Sequence, residues 1–149
     1  MPTARRQVSD SPRCVLMSAE DVAYLDSSAI VKLVSAERES AALADYLLAY
    51  RRCVSSALAR TEVVRAVVAD GPQAVGRARL LLRALGLIAV DDALLDAAGA
   101  VLPVTVRSLD AIHVAAVRSL DPRATRVVTY DLRMAEAVRG YGFEVDAPA

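Results

Sequence analysis

Four acidic side chains stand where the sequence could do chemistry. Asp26 closes the run Tyr24-Leu25-Asp26, and Asp131 closes Val128-Thr129-Tyr130-Asp131. Asp110 lies inside Ser108-Leu109-Asp110-Ala111, and Glu62 follows Ala59-Arg60-Thr61. Each has an ordinary explanation on its own. An aspartate at a helix start caps free N–H groups and suits the helix dipole, and Glu62 could pair with Arg65 one turn on. Brought together, they are costly. Two like charges about 4 Å apart repel by about 4 kcal/mol at an effective dielectric of about 20, so the group must be protonated or neutralised. A hard divalent cation with oxygen ligands would do this, and it would also lower the pKa of a bound water and steady the charge on a phosphate. Cys14 and Cys53 have no metal or redox spacing, and the single His113 excludes any site needing two histidines. An oxygen pocket of this kind favours Mg²⁺, or Mn²⁺, over zinc. The chemistry expected is metal-assisted phosphodiester hydrolysis.

The surrounding segments must bring these acids together. Val22 to Leu25 reads as a strand, followed by a helix capped by Ser27 or Ser28 and running through Val34. Apolar positions at helical spacing predict a second helix over residues 37–52. Val54 to Ser56 reads as a strand, followed by a helix to Ala69. Gly71-Pro72 breaks that helix, and Pro72 opens the next, which stops at Gly86. A strand over residues 87–90 follows, then helices capped by Asp92 and by Ser108. A strand over residues 126–129, a helix over 131–139 and a strand over 143–145 complete the chain. This alternation predicts an α/β fold, helices on both faces of a mainly parallel sheet. Ligands of such sheets lie beyond the carboxyl ends of the strands, which is where the acids fall.

The 149 residues suffice for one domain, placed at 20–149, after a polar, aperiodic segment over 1–19 read as a disordered tail. The 29 alanines imply closely packed helices. With 18 basic and 18 acidic residues, binding to nucleic acid by bulk charge is excluded, and any basic surface must be local. No apolar stretch approaches the roughly 20 residues of a membrane span. The run Cys14-Val15-Leu16-Met17 is too short for an export signal. Reduced thiols and a cytoplasmic location are expected.

The blocks Tyr-Leu-Asp26-Ser-Ser-Ala-Ile-Val-Lys, Ala-Arg-Thr-Glu62-Val-Val-Arg, Ser-Leu-Asp110-Ala-Ile-His-Val-Ala-Ala and Val-Val-Thr-Tyr-Asp131, in this order, resemble the PIN domain. More narrowly, they are similar to the VapC-type toxins of bacterial toxin–antitoxin pairs. The resemblance spans residues 22–145 and implies a three-layer α/β/α sandwich. It also implies a Mg²⁺- or Mn²⁺-dependent endoribonuclease acting on RNA, a cognate antitoxin and a homodimer. The family's acidic quartet falls on Asp26, Glu62, Asp110 and Asp131. Asp26 and Asp110 match its usual metal ligands, and Thr129 matches its hydroxyl residue two before the last aspartate.

Other residues are weaker candidates. His113 lies one turn after Asp110, where it would either touch RNA or pack and donate to a neighbour. Ser27 would add a hydroxyl near the metal. Arg65, Arg107 and Arg133 could face phosphates, since setting the quartet aside leaves 18 basic against 14 acidic residues. Competing α/β readings fit less well. The single lysine, Lys32, is too early for a phosphoacceptor receiver. No phosphate-binding glycine motif is present, and Ser28 stands where a haloacid-dehalogenase-like enzyme needs its second aspartate. A PIN nuclease working on DNA or in RNA processing without an antitoxin, and a non-catalytic dimerising or partner-binding module, remain as alternatives.

Overall fold

The computed structural model describes residues 22–149. The tail expected over residues 1–19 and the first two positions of the expected domain lie outside them. Five strands, β1 (Val22–Leu25), β2 (Arg52–Ser56), β3 (Gly86–Ile88), β4 (Thr125–Val128) and β5 (Glu144–Asp146), form one sheet in the order β3-β2-β1-β4-β5. Every pairing is parallel. Seven α-helices connect them: α1 (Ser27–Val34), α2 (Ser40–Leu47), α3 (Ala59–Val67), α4 (Pro72–Ala84), α5 (Asp92–Gly99), α6 (Ser108–Arg118) and α7 (Leu132–Gly140).

Alternation along the central strands produces two cores. Ala23 and Leu25 point to one face with Val128, where Ile30, Leu43, Val63 and Leu82 of α1–α4 cover them. Tyr24, Val54 and Val127 point to the other face, under Ala98 of α5, Val114 and Val117 of α6, and Met134 and Val138 of α7. Both faces are dry, so the central strands are almost wholly apolar. This is the expected three-layer sandwich. The chain winds to one side from β1 and to the other through β4, so the crevice that binds ligands in such folds opens between these strands' carboxyl ends.

Local details differ from the sequence reading, for physical reasons. The α1 cap is neither serine: Asp26, in extended conformation, accepts from the Ala29 N–H. Helix α2 is shorter than residues 37–52, because the Ser40 hydroxyl bonds the Lys32 and Ser35 carbonyls and fixes the start there. Strand β3 begins at Gly86, drawn into register with Val54. Asp91 rather than Asp92 caps α5, and α6 has no side-chain cap. Among the described residues no helix is long and apolar enough to cross a membrane.

Candidate active site

Strand register creates the site. Leu25 pairs with Val128, so Asp26 and Thr129 emerge side by side from neighbouring strands. The Asp26 carboxylate, only 5% exposed, is held on both oxygens. Its Oδ1 accepts from the Ser28 hydroxyl at 2.6 Å and the Ala29 N–H at 3.0 Å, and its Oδ2 from the Thr129 hydroxyl at 2.6 Å. Each carboxylate oxygen has two acceptor positions, so Oδ2 keeps one to spare. Burial pushes the Asp26 carboxyl above its usual range, against the pull of these hydrogen bonds and of His113. Thr129 also accepts from the Asp131 N–H at 3.1 Å, which ties two of the acids through one hydroxyl. Ser28 in turn accepts from the Tyr130 N–H at 3.0 Å and so bridges the two strand ends.

A second chain of contacts stitches the two layers over the sheet's edge. On α3, Glu62 Oε2 accepts from the Ser27 hydroxyl at 2.5 Å and from His113 Nε2 at 2.7 Å. His113 Nδ1 meets the Tyr24 hydroxyl at 2.7 Å. In the tautomer whose Nε2 proton goes to the Glu62 carboxylate and whose Nδ1 is bare, Nδ1 accepts and Tyr24 donates. Burial, with the negative charges of Asp26 and Glu62, holds the Tyr24 phenol well above its ordinary pKa, and it keeps its proton. Burial would raise Glu62, but the bonds from His113 and Ser27 outweigh it and hold the carboxyl below its usual range. The expected Glu62–Arg65 pair is therefore replaced by Glu62–His113, and Arg65 is exposed on α3. His113, 2% exposed, takes the packing and donating role.

Asp110 and Asp131 complete the set from the other layer. Asp131 caps α7, its Oδ1 accepting from the N–H groups of Arg133 and Met134. Half-buried Asp110, in the first turn of α6, accepts no hydrogen bond from any described residue. Burial raises its pKa, and so do the charges of Asp131 and Glu62, while His113 and Arg107 oppose the shift. The four acids thus share one edge, and Asp110 lies in the fields of Asp131 and Glu62. Asp26 and Asp131 both cap helices.

The expectation that only a divalent ion makes this gathering tolerable is corrected. Ser27, Ser28, Thr129 and His113 supply donors to Asp26 and Glu62 from within the chain. Among the described residues no three acidic, histidine or cysteine side chains form a ready-made cage. Mg²⁺ does not require one, since it takes one or two carboxylates and keeps several waters. Both Asp110 oxygens, Glu62 Oε1 and Asp131 Oδ2 have no hydrogen bond to a described residue, and carboxylate oxygens are the donor type a hard cation takes. Tyr24 escaped the sequence reading. Its one signal was a lone tyrosine in an apolar strand, whose hydroxyl needs a partner when buried.

The PIN domain family profile matches residues 23–140. The protein named Ribonuclease VapC46, of Mycobacterium tuberculosis, is 48% identical over 126 residues, covering 85% of this chain and 97% of its own length. Ribonuclease VapC47 and Ribonuclease VapC35 of the same species are 36% and 38% identical, each over 84% of this chain and 96% of theirs. A chain in a solved toxin-antitoxin complex from Klebsiella pneumoniae superposes with a TM-score of 0.65 at 19% identity, covering 85% of this chain and 98% of that one. This chain belongs to the PIN-domain family, among the VapC ribonucleases.

Proposed function

We propose that the chain is a Mg²⁺-dependent endoribonuclease, with Mn²⁺ able to substitute, and the toxin of a toxin–antitoxin pair. The observation that supports this is the placement of Asp26, Glu62, Asp110 and Asp131 on the sheet edge around the switch point, with Asp110 accepting no hydrogen bond from a described residue. The names of the curated relatives, and the neighbour solved in a toxin-antitoxin complex, support the RNA substrate and the antitoxin partner. In this reading the protein works in the cytoplasm as a homodimer.

Asp26 and Asp110 would hold the ion, and Glu62 and Asp131 would complete its surroundings. When bound, the ion supplies a water of lowered pKa and stabilises charge on the phosphate. The chain's own groups do the positioning. Thr129 and Ser28 fix the Asp26 carboxylate. Ser27 and His113 pin Glu62 Oε2 and leave Oε1 to orient a water. Tyr24 sets the His113 tautomer, so that Nε2 carries the proton. Arg65, Arg107 and Arg133 flank the acids and would face phosphates of the RNA.

The test is RNA cleavage by Asp26→Asn and Asp110→Asn beside the native chain, with Mg²⁺ and with chelator, and growth arrest on expression in cells. Cleavage and arrest should require both acids and the ion, and co-expressed antitoxin should relieve the arrest. Variants that cut RNA as well as the native chain overturn the assignment.

A further inference from the structure

Helix α3 presents three faces. Ala59, Val63 and Val67 are in the core. Glu62 and Ala66 line the depression beside Ser27 and Lys32. Arg60 and Val64 line a separate cavity of about 600 Å³, whose other walls come from α4 and β3. Three arginines, Arg60, Arg79 and Arg83, edge this cavity, and Val64, Leu82 and Leu87 are among the apolar residues lining it. None of the three guanidinium groups has a hydrogen bond or ion pair with a described residue. Among the other cations, Lys32 has Glu37 and Glu39, Arg126 has Glu144, Arg118 lies on Tyr141, and Arg77 reaches the Val34 carbonyl, whereas Arg65, Arg107 and Arg133 stand singly on the surface rather than around one concavity. Three like charges around one concavity with no counter-charge make a site for an anion.

We propose that this cavity is a phosphate subsite for single-stranded RNA, holding nucleotides that flank the cleaved bond on the far side of α3. The inference rests on the ribonuclease reading given above. The acids at the sheet edge repel the substrate's backbone, and the chain's balanced charge supplies no bulk attraction. Binding must then come from a local cluster, and this one lies against a different face of α3 from Glu62. The apolar lining and the arginine planes would accept bases as well as phosphates, in a chain whose aromatic side chains are one Phe, five Tyr and no Trp.

The experiment measures binding of a labelled single-stranded RNA to the metal-free chain in chelator by fluorescence anisotropy, across a salt series. It compares the native chain with Arg79→Gln/Arg83→Gln and with Arg79→Lys/Arg83→Lys. Two single-strand phosphate contacts contribute a salt slope of about 1.4, so the glutamine pair should lower the slope by that amount and weaken binding about tenfold at about 0.15 M salt. The lysine pair should recover most of the loss. With Mg²⁺, the glutamine pair should raise KM for long RNA at unchanged kcat and leave RNA too short to span α3 unaffected. Native-like binding of long RNA by the glutamine pair overturns the proposal. So does a pair that keeps its RNA affinity but loses affinity for an acidic peptide, which would make the cavity a protein-docking surface. If the native chain binds long RNA through these arginines but cuts none, the subsite stands and the nuclease reading falls.

Discussion

Tyr24→Phe removes one oxygen atom from the stitch that joins the two helical layers. The hydroxyl is fully buried and donates to His113 Nδ1 at 2.7 Å, with the imidazole 2% exposed. The ring itself stays, so the core keeps its packing. What is lost is a buried hydrogen bond, and an acceptor nitrogen is left dry, at a cost of about 1–3 kcal/mol. Taking about 2 kcal/mol, a chain of this size should melt roughly 4–8 °C lower. His113→Gln removes both the acceptor for Tyr24 and the donor to Glu62, and should cost about 3–5 kcal/mol. Because both changes break the same link, the double variant should be no more than slightly worse than His113→Gln, with a coupling of about 1 kcal/mol or more. Urea and thermal unfolding of the metal-free protein, followed by circular dichroism, measure all three. Additive losses, or a Tyr24→Phe variant within about 0.5 kcal/mol of native, would refute the claim that Tyr24 and His113 form one hydrogen-bonded unit.

Asp110→Asn should leave the metal-free chain at least as stable as native at neutral pH, as read by its melting temperature. The folded carboxyl has a raised pKa, so its penalty appears as pH climbs from its unfolded value through the folded one and disappears in acid. The depressed Glu62 has the opposite sign: its contribution is present above its unfolded pKa and is lost as pH falls through the lower folded value. Glu62→Gln should therefore flatten the acid limb of a stability–pH curve. Mg²⁺ at about 100 times its dissociation constant should stabilise the native chain by about 2.7 kcal/mol, and calorimetry should show that gain abolished in Asp110→Asn. Thr129→Val, which strips a buried donor from Asp26, should cost about 1–3 kcal/mol in urea unfolding, with Thr129→Ser restoring most of it.

The acids were legible because each sits at a place the chain marks locally: the end of an apolar run or the first turn after it. The layer order followed from the same alternation. What stayed hidden depends on distant partners. Tyr24 and His113 are 89 positions apart, and no periodicity connects them. Ser27 and Ser28 look like caps by residue type, yet Asp26 takes that position and frees both hydroxyls for Glu62 and for Asp26 itself. Arg65 was a better local partner for Glu62 than the histidine that holds it. The limits of β3 follow from its register with β2 rather than from its own residues. The arginine cavity escaped for the same reason, since Arg60 and Arg83 meet only when α3 and α4 fold into a hairpin against the edge strand.

β4, which carries Thr129 at its carboxyl end, lies in the middle of the sheet beside β1, although it is fourth in sequence. While the polypeptide is being made, β1 therefore waits with one edge bare until β4, four helices after β2, has been read. Two of the four carboxylates, Asp110 and Asp131, also emerge late from the ribosome. A chain stopped before α6 thus carries only Asp26 and Glu62, and the four carboxylates come together only once the polypeptide through α7 has been made.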